Sequence, residues 1–262
     1  MKRIESRDNP TFKSIAALRQ PHRSQKTGLV YLEGSRLCKD ALESGATAVY
    51  LLIGDSAAGQ PAALDLIGLL TDKARILSLP DRLFKLLSDT RNPQGVALIC
   101  QAPFLGAPPS PPDSRGLFLI AENIQDPGNL GAMIRTAAAF AFNAVLLTEG
   151  TVYPFADKVL RAAMGSCYHL PIYCMTDIGT IACWLQSAGR RPFLLAADPG
   201  APTGLPGNLS LPAALVVGNE ANGLTEKAKN LCTSRVAIAM PGRAESLNAA
   251  AAAPLQSQHR RL

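Results

Sequence analysis

Leu117-Phe-Leu-Ile-Ala-Glu-Asn-Ile-Gln-Asp-Pro-Gly-Asn-Leu-Gly-Ala-Met-Ile-Arg-Thr136 decides the fold class of this chain. The apolar run 117–121 reads as a buried strand, and the residues after it cannot continue one. Asp126-Pro127-Gly128 favours a turn, and Asn129 is suited to cap the helix that the spacing predicts over 129–140. A strand, a tight loop and a helix in immediate succession form the repeating unit of an α/β layer fold.

Working outward, the same unit recurs. Toward the C-terminus, strands are predicted over 144–147, 171–174, 193–196, 215–217 and 236–239. Helices are predicted over 157–164, 178–186, 226–231 and 245–253. Apolar strands alternating with helices imply a mostly parallel sheet covered on both faces. Toward the N-terminus, Asn9-Pro10 pairs a helix cap with a first-turn proline and opens a helix to about Arg19. Strands follow over 29–32, 48–53, 76–79 and 95–100, with helices over 35–43, 62–72 and 81–87. Between the two blocks lies Ala107-Pro-Pro-Ser-Pro-Pro-Asp-Ser-Arg115, too rich in proline for a helix or a central strand. The expected organisation is a smaller N-terminal α/β domain over 1–104, a linker over 105–115 and a C-terminal domain over 116–262.

The chain has 262 residues, 47% of them hydrophobic and 18% charged, which suits a folded protein with a real core. No apolar run approaches the roughly 18–20 residues that span a bilayer. The N-terminus is charged rather than apolar, unlike a secretory signal, so the expected location is cytoplasmic. The six cysteines form no C-x-x-C pair, and only three histidines exist (His22, His169, His259), so no metal is expected. Of the net charge of +6, much sits in residues 1–30. Lys2, Arg3, Arg7, Lys13, Arg19, Arg23 and Lys26 there face only Glu5 and Asp8, a local excess of +5. Beside phosphates such a cluster raises affinity by counterion release; alone it is equally an ordinary solvated face.

Two further stretches repeat the grammar of the first, with turn-forming residues directly after an apolar run. They are Val217-Gly-Asn-Glu-Ala-Asn-Gly-Leu224 and Ile238-Ala-Met-Pro-Gly-Arg-Ala-Glu-Ser-Leu-Asn248. Ligands of parallel sheets bind beyond the carboxyl ends of the strands, where all three stretches would lie. Arg135 offers a planar fork of donors matched to phosphate oxygens. Gly218 would let a flat ligand approach the backbone, and Glu220 beside it could hold a substrate hydroxyl or orient Arg135. Ser246 and Asn248 are short polar groups at a helix start, able to cap it or to bind a ligand. Ile238 and Met240 could wall an adenine ring.

The order and spacing of these three signatures resemble the SpoU (TrmH-like) family of RNA ribose 2′-O-methyltransferases. Tyr31-Leu-Glu-Gly34, Asp89-Thr-Arg-Asn-Pro-Gln-Gly-Val96 and Arg161-Ala-Ala-Met-Gly-Ser166 extend the resemblance over nearly the whole chain. It implies a SPOUT-type parallel sheet whose C-terminal segment is threaded into a trefoil knot, preceded by an RNA substrate-binding domain. It implies S-adenosylmethionine as cofactor, contacted by Gly218, Ile238 and Leu247 with Asn219 and Met240 nearby. Asn129, Arg135, Glu220, Ser246 and Asn248 would form the catalytic and RNA-positioning set. It also implies a homodimer acting on RNA, with ribosomal RNA ahead of transfer RNA. Free arginine has a pKa above about 12, so the expected role of Arg135 is to hold the ribose-phosphate and the developing alkoxide rather than to act as the base.

One departure stands at the C-terminus. The family continues after Asn248 with a longer helix bearing bulky apolar residues, whereas here five alanines run to Pro254. Alanine favours helix but buries little surface, and proline ends the helix. This puts dimer stability in doubt and sets up the alternative, a catalytically weak RNA-binding protein of the same fold. A nucleotide-dependent oxidoreductase is disfavoured, because no Gly-x-Gly-x-x-Gly follows a strand.

Overall fold

The computed structural model describes residues 1–70, 75–103, 108–198, 200–203, 206–207 and 209–237. The expected final helix, the expected knot, and Ile238, Met240, Ser246, Leu247 and Asn248 lie outside the described residues. In chain order the first elements are β1 (Lys2–Arg3), α1 (Pro10–Ala17), α2 (Pro21–Thr27), β2 (Leu29–Glu33), α3 (Ser35–Glu43) and β3 (Ala48–Gly54). Then come α4 (Pro61–Leu69), β4 (Ile76–Leu79), α5 (Asp81–Leu87), β5 (Val96–Gln101), β6 (Leu117–Ala121), α6 (Pro127–Ala139) and β7 (Ala144–Thr148). The last are α7 (Asp157–Ala163), β8 (Ile172–Met175), α8 (Ile178–Gln186), β9 (Phe193–Ala197), β10 (Ala213–Val217), α9 (Glu226–Leu231) and β11 (Ser234–Val236). β1 and α2 were not expected, and both have a physical reason to be silent. β1 is two residues long, and α2 buries a single side chain, Ser24, so neither leaves an apolar pattern.

The chain divides into two compact units, Met1–Pro103 with Phe155–Tyr168, and Phe104–Pro154 with His169–Leu262. The first unit holds a mixed sheet in the order β1-β4-β3-β5-β2. β4 runs parallel to β1 and β3, and β5 runs antiparallel to β3 and β2. Asn9 caps α1, its Oδ1 accepting from the N–H groups of Thr11 at 2.9 Å and Phe12 at 3.4 Å. The cap sets the angle at which Phe12 and Ile15 enter a core shared with Tyr31, Leu52, Leu77, Phe84 and Ile99. Phe155–Tyr168, which the sequence left inside the 116–262 block, packs within this unit. α7 lies against β2, Cys100 Sγ and the Tyr168 hydroxyl meet at 3.2 Å, and Asp40 packs against Gly165. Burial pushes the Cys100 thiol up to about 12, so it stays protonated, and none of the cysteines is in a disulfide.

The second unit is a six-stranded sheet in the order β11-β9-β10-β6-β7-β8, parallel at every pairing. Strand alternation sorts its side chains into two buried layers. Phe118, Ile120, Ala144, Leu146, Leu194, Ala196, Ala214 and Val216 meet Ile178, Ile181, Ala182 and Leu185 of α8 and Ala228 of α9. The intervening residues, among them Leu119, Val145 and Leu215, are buried too, and α6 packs against β7. The Pro-rich stretch is tied to this unit where it is described, since Trp184 Nε1 donates to the Pro109 carbonyl at 3.0 Å. From β6 the chain steps outward through β7 to β8, then reappears on the other side at β9 and β10. The order therefore reverses between β6 and β10, and the crevice at such a reversal is where open parallel sheets bind ligands.

Candidate functional site at the β6 and β10 ends

β6 and β10 end level with each other, Ala121 opposite Val217, and the next residue continues the ladder, Glu122 N–H donating to the Val217 carbonyl at 2.8 Å. Beyond that point the two chains part and fold over the sheet edge. On the β6 side Asp126 caps α6, its Oδ1 accepting from the Asn129 N–H at 2.8 Å, with Pro127 at the first helical position. This corrects the expectation that Asn129 is the cap and that the helix starts there. Asp126 and Asn129 are both good cap residues, and the proline chooses between them, since it belongs in a first turn and cannot donate.

Freed from capping, Asn129 turns its side chain across the crevice. Its Nδ2 donates to Glu220 Oε1 at 3.0 Å, joining residues 91 apart in sequence. The same carboxylate accepts from the backbone N–H groups of Asp126 at 3.3 Å and Gln125 at 3.4 Å. Burial alone would push the Glu220 carboxyl up. Asn129, the backbone of Glu220 itself and the two loop N–H groups outweigh it and hold the pKa below the ordinary carboxylate value. The group is an anion fixed in place, able to orient a hydroxyl or a cation presented to the crevice.

The loop 218–224 that carries Glu220 is built around Asn219. Its Oδ1 accepts from the N–H groups of Ala221 and Asn222, both at 3.0 Å, and from Asn222 Nδ2 at 3.2 Å. Its Nδ2 donates to the Asn123 carbonyl at 2.9 Å, and its backbone pairs with Gly223 in both directions. The Asn219 side chain is thus occupied in holding its own loop. Gly218 has a further reason beside the one the sequence suggested. A Cβ there would lie 2.5 Å from backbone atoms of Gly223 and Leu224, so the close approach is made by the chain itself. Gly218 is buried, and its N–H and C=O make no hydrogen bond with any described residue. Buried backbone groups are nearly always paired, so the partner of this pair lies beyond the described residues, as main-chain contacts to a ligand would.

Arg135 lies on α6, exposed, and makes no hydrogen bond or ion pair with a described residue. Its guanidinium does not meet Glu220, contrary to one expectation. Of the ten residues singled out from sequence, Asn129, Gly218, Asn219 and Glu220 come together at one edge, Arg135 stands on the helix that Asn129 anchors, and five lie outside the described residues. The sequence reading missed Glu122, Asn123 and Thr225. Glu122 is buried, its Oε1 accepting from Thr225 Oγ1 at 2.7 Å and its Oε2 from the Thr225 N–H at 3.0 Å. Asn123 sits at φ 55°, its N–H donating to Thr148 Oγ1 at 3.0 Å. The signal for Glu122 was legible: a carboxylate directly after five buried apolar residues has to find donors. Among the described residues no three His, Cys, Asp or Glu side chains gather as a metal site would need, and no helix is long and apolar enough to cross a membrane.

Comparison with known proteins finds matches along nearly the whole chain. Residues 116–256 match the SpoU rRNA Methylase family, and residues 9–98 match the MRM3-like substrate binding domain. Over 262 residues, all of both chains, the sequence is 32% identical to the 23S rRNA (guanosine(2553)-2′-O)-methyltransferase RlmP of Bacillus subtilis (strain 168). Among solved structures, an AdoMet-bound rRNA methyltransferase from Sinorhizobium meliloti superposes with a TM-score of 0.82 at 27% identity, over 98% of this chain and 95% of that one. A second, an RNA 2′-O ribose methyltransferase, gives a TM-score of 0.81 at 28% identity, over 97% and 96%.

Proposed function

Because this chain belongs to the SpoU rRNA methylase family, we infer that it transfers a methyl group from S-adenosylmethionine to a ribose 2′-hydroxyl of ribosomal RNA. The observation that carries this is the Asn129–Glu220 bond, which gathers two of the three signatures at the sheet's reversal point. The buried backbone of Gly218, unpaired among the described residues, fits a cofactor held by main-chain contacts. When bound, that cofactor supplies a methyl carbon to the 2′-oxygen, the C–S bond breaking as the O–C bond forms and the hydroxyl proton leaving.

The work assigned to the protein is alignment, the removal of a proton and the management of charge. We assign Arg135 to the ribose-phosphate and to the negative charge that grows on the 2′-oxygen. Its guanidinium is unclaimed by any described side chain, so its donors are free for the substrate. Asn129 and Glu220 fix the first turn of α6, and with it the direction from which Arg135 reaches the crevice. Ser246 and Asn248 complete this set by motif, and Ile238, Met240 and Leu247 join Gly218 and Asn219 on the cofactor side. A cytoplasmic homodimer, with RNA held partly by the N-terminal unit, belongs to the same proposal.

Arg135→Lys tests it. Methyl transfer to RNA should fall by about two orders of magnitude or more, the usual size of one lost transition-state donor, while calorimetric binding of S-adenosylmethionine stays within twofold of wild type. Near-normal turnover would remove Arg135 from the site. Absence of cofactor binding by the wild type would instead favour a pure RNA-binding protein. Mapping 2′-O-methylation in total RNA with and without the gene would then name the nucleotide.

A further inference from the structure

We propose that Glu122 is a positioning residue for the cofactor, acting through Thr225. The proposal rests on the functional reading above and adds a residue that none of the three signatures contains as a site member. Glu122 and Asn123 are the first two residues beyond β6, and between them they hold both ends of the loop 218–224. Asn123 takes the start, its carbonyl accepting from Asn219 Nδ2 at 2.9 Å. Glu122 takes the end, accepting from the N–H and the hydroxyl of Thr225 at 3.0 and 2.7 Å. The middle of the same loop turns back through Glu220 onto Gln125, Asp126 and Asn129. The loop is therefore fastened at its start, middle and end to one continuous stretch, 122–129.

The chemistry at Thr225 explains why a carboxylate stands there. Thr225 caps α9, its Oγ1 accepting from the Ala228 N–H at 3.1 Å. With that lone pair engaged, the hydroxyl proton points away from the helix, and Thr225 presents two donors side by side, O–H and N–H. Only a group with two acceptors and no donor satisfies both, and an ionised carboxylate is that group. A glutamine of the same shape would turn an NH2 toward one of the two donors. Among the described residues Glu122 has no cationic partner, and burying a charge on hydroxyl and amide donors alone is costly, so stability by itself explains it poorly. What the arrangement fixes is the position of Gly218, whose backbone groups lie at the loop's start and make no bond among the described residues, and whose packing partners, Gly223 and Leu224, directly precede Thr225.

The test is a calorimetric titration with S-adenosylmethionine, together with steady-state methylation of RNA. Glu122→Gln should weaken cofactor binding about tenfold, the effect of one buried donor left unsatisfied. It should raise the KM for the cofactor by a similar factor and leave the KM for RNA unchanged. Thr225→Val should act in the same direction, whereas Thr225→Ser, which keeps both donors, should bind within twofold of wild type. Val145→Ala, a core truncation on β7 in the layer opposite the one that Leu224 joins, controls for loss of stability and should keep the cofactor affinity. Unchanged affinity in Glu122→Gln overturns the proposal, as does an equal loss in Val145→Ala. If Glu122→Gln fails to fold, Thr225→Val decides by the same criterion. A wild-type protein that binds no cofactor would overturn the functional reading and this proposal together; a wild type that binds, with variants that match it, overturns this proposal alone.

Discussion

Gly218 illustrates how one residue type can answer to two constraints, of which a sequence displays only one. The sequence justified glycine by a ligand's approach, but the atoms a Cβ would strike are the backbone of Gly223 and Leu224, 2.5 Å away. Backbone cannot swing aside like a side chain, so Gly218→Ala should cost about 1–3 kcal/mol, read as a lower urea midpoint at constant slope. Glu220 makes a second residue-scale prediction. Its pKa is depressed in the fold, so between that value and the unfolded carboxylate value the folded state binds fewer protons and stability rises with pH. The contribution is complete above the unfolded value, roughly 4.3, and is lost as pH falls through the folded one. Thermal melts of wild type and Glu220→Gln should therefore differ most near neutrality and converge in acid. A gap that widens toward low pH would contradict the sign.

At the scale of elements, strands and helices were both legible. β4 and β6 fall on their expected bounds, α3, α5, α8 and α9 likewise, because each apolar run is closed by turn-formers. The start of α6 was misplaced, since two cap candidates stand three residues apart and only the observed Asp126 Oδ1 bond separates them. Asp126→Ala removes that bond and should lower stability by about 1 kcal/mol, a melting shift of roughly 2–4 °C for a unit of this size. Methyl transfer should fall more than the shift suggests, because Asn129 is anchored in the same turn. α2 went unseen for a physical reason. Helices are recognised by the apolar face they bury, and this one, with only Ser24 inside, has none.

For the whole molecule, the basic excess of the first thirty residues separates into two groups once the chain is folded. Arg3 pairs with Asp55 and Glu5, Lys13 with Asp8, and Arg19 with Asp89. Lys2, Arg7, Arg23 and Lys26 make no ion pair among the described residues, and all are exposed. Replacing Arg7, Arg23 and Lys26 by glutamine should weaken RNA binding chiefly at low salt, flattening the slope of log affinity against log salt by about 0.7–0.9 for each phosphate no longer neutralised. The same change at Lys13, already held by Asp8, should alter the slope least. The amino-acid sequence alone determined the class of this protein, because apolar periodicity and turn chemistry are local properties that survive without neighbours. It marked out Asn129, Arg135, Gly218 and Glu220 for the same reason. That Asn129 and Glu220 share a hydrogen bond, and that Glu122 fastens the far end of the Glu220 loop, was decided only by the tertiary structure. Those bonds join residues about a hundred positions apart, and they exist because β10 pairs with β6, a strand order that no local pattern encodes.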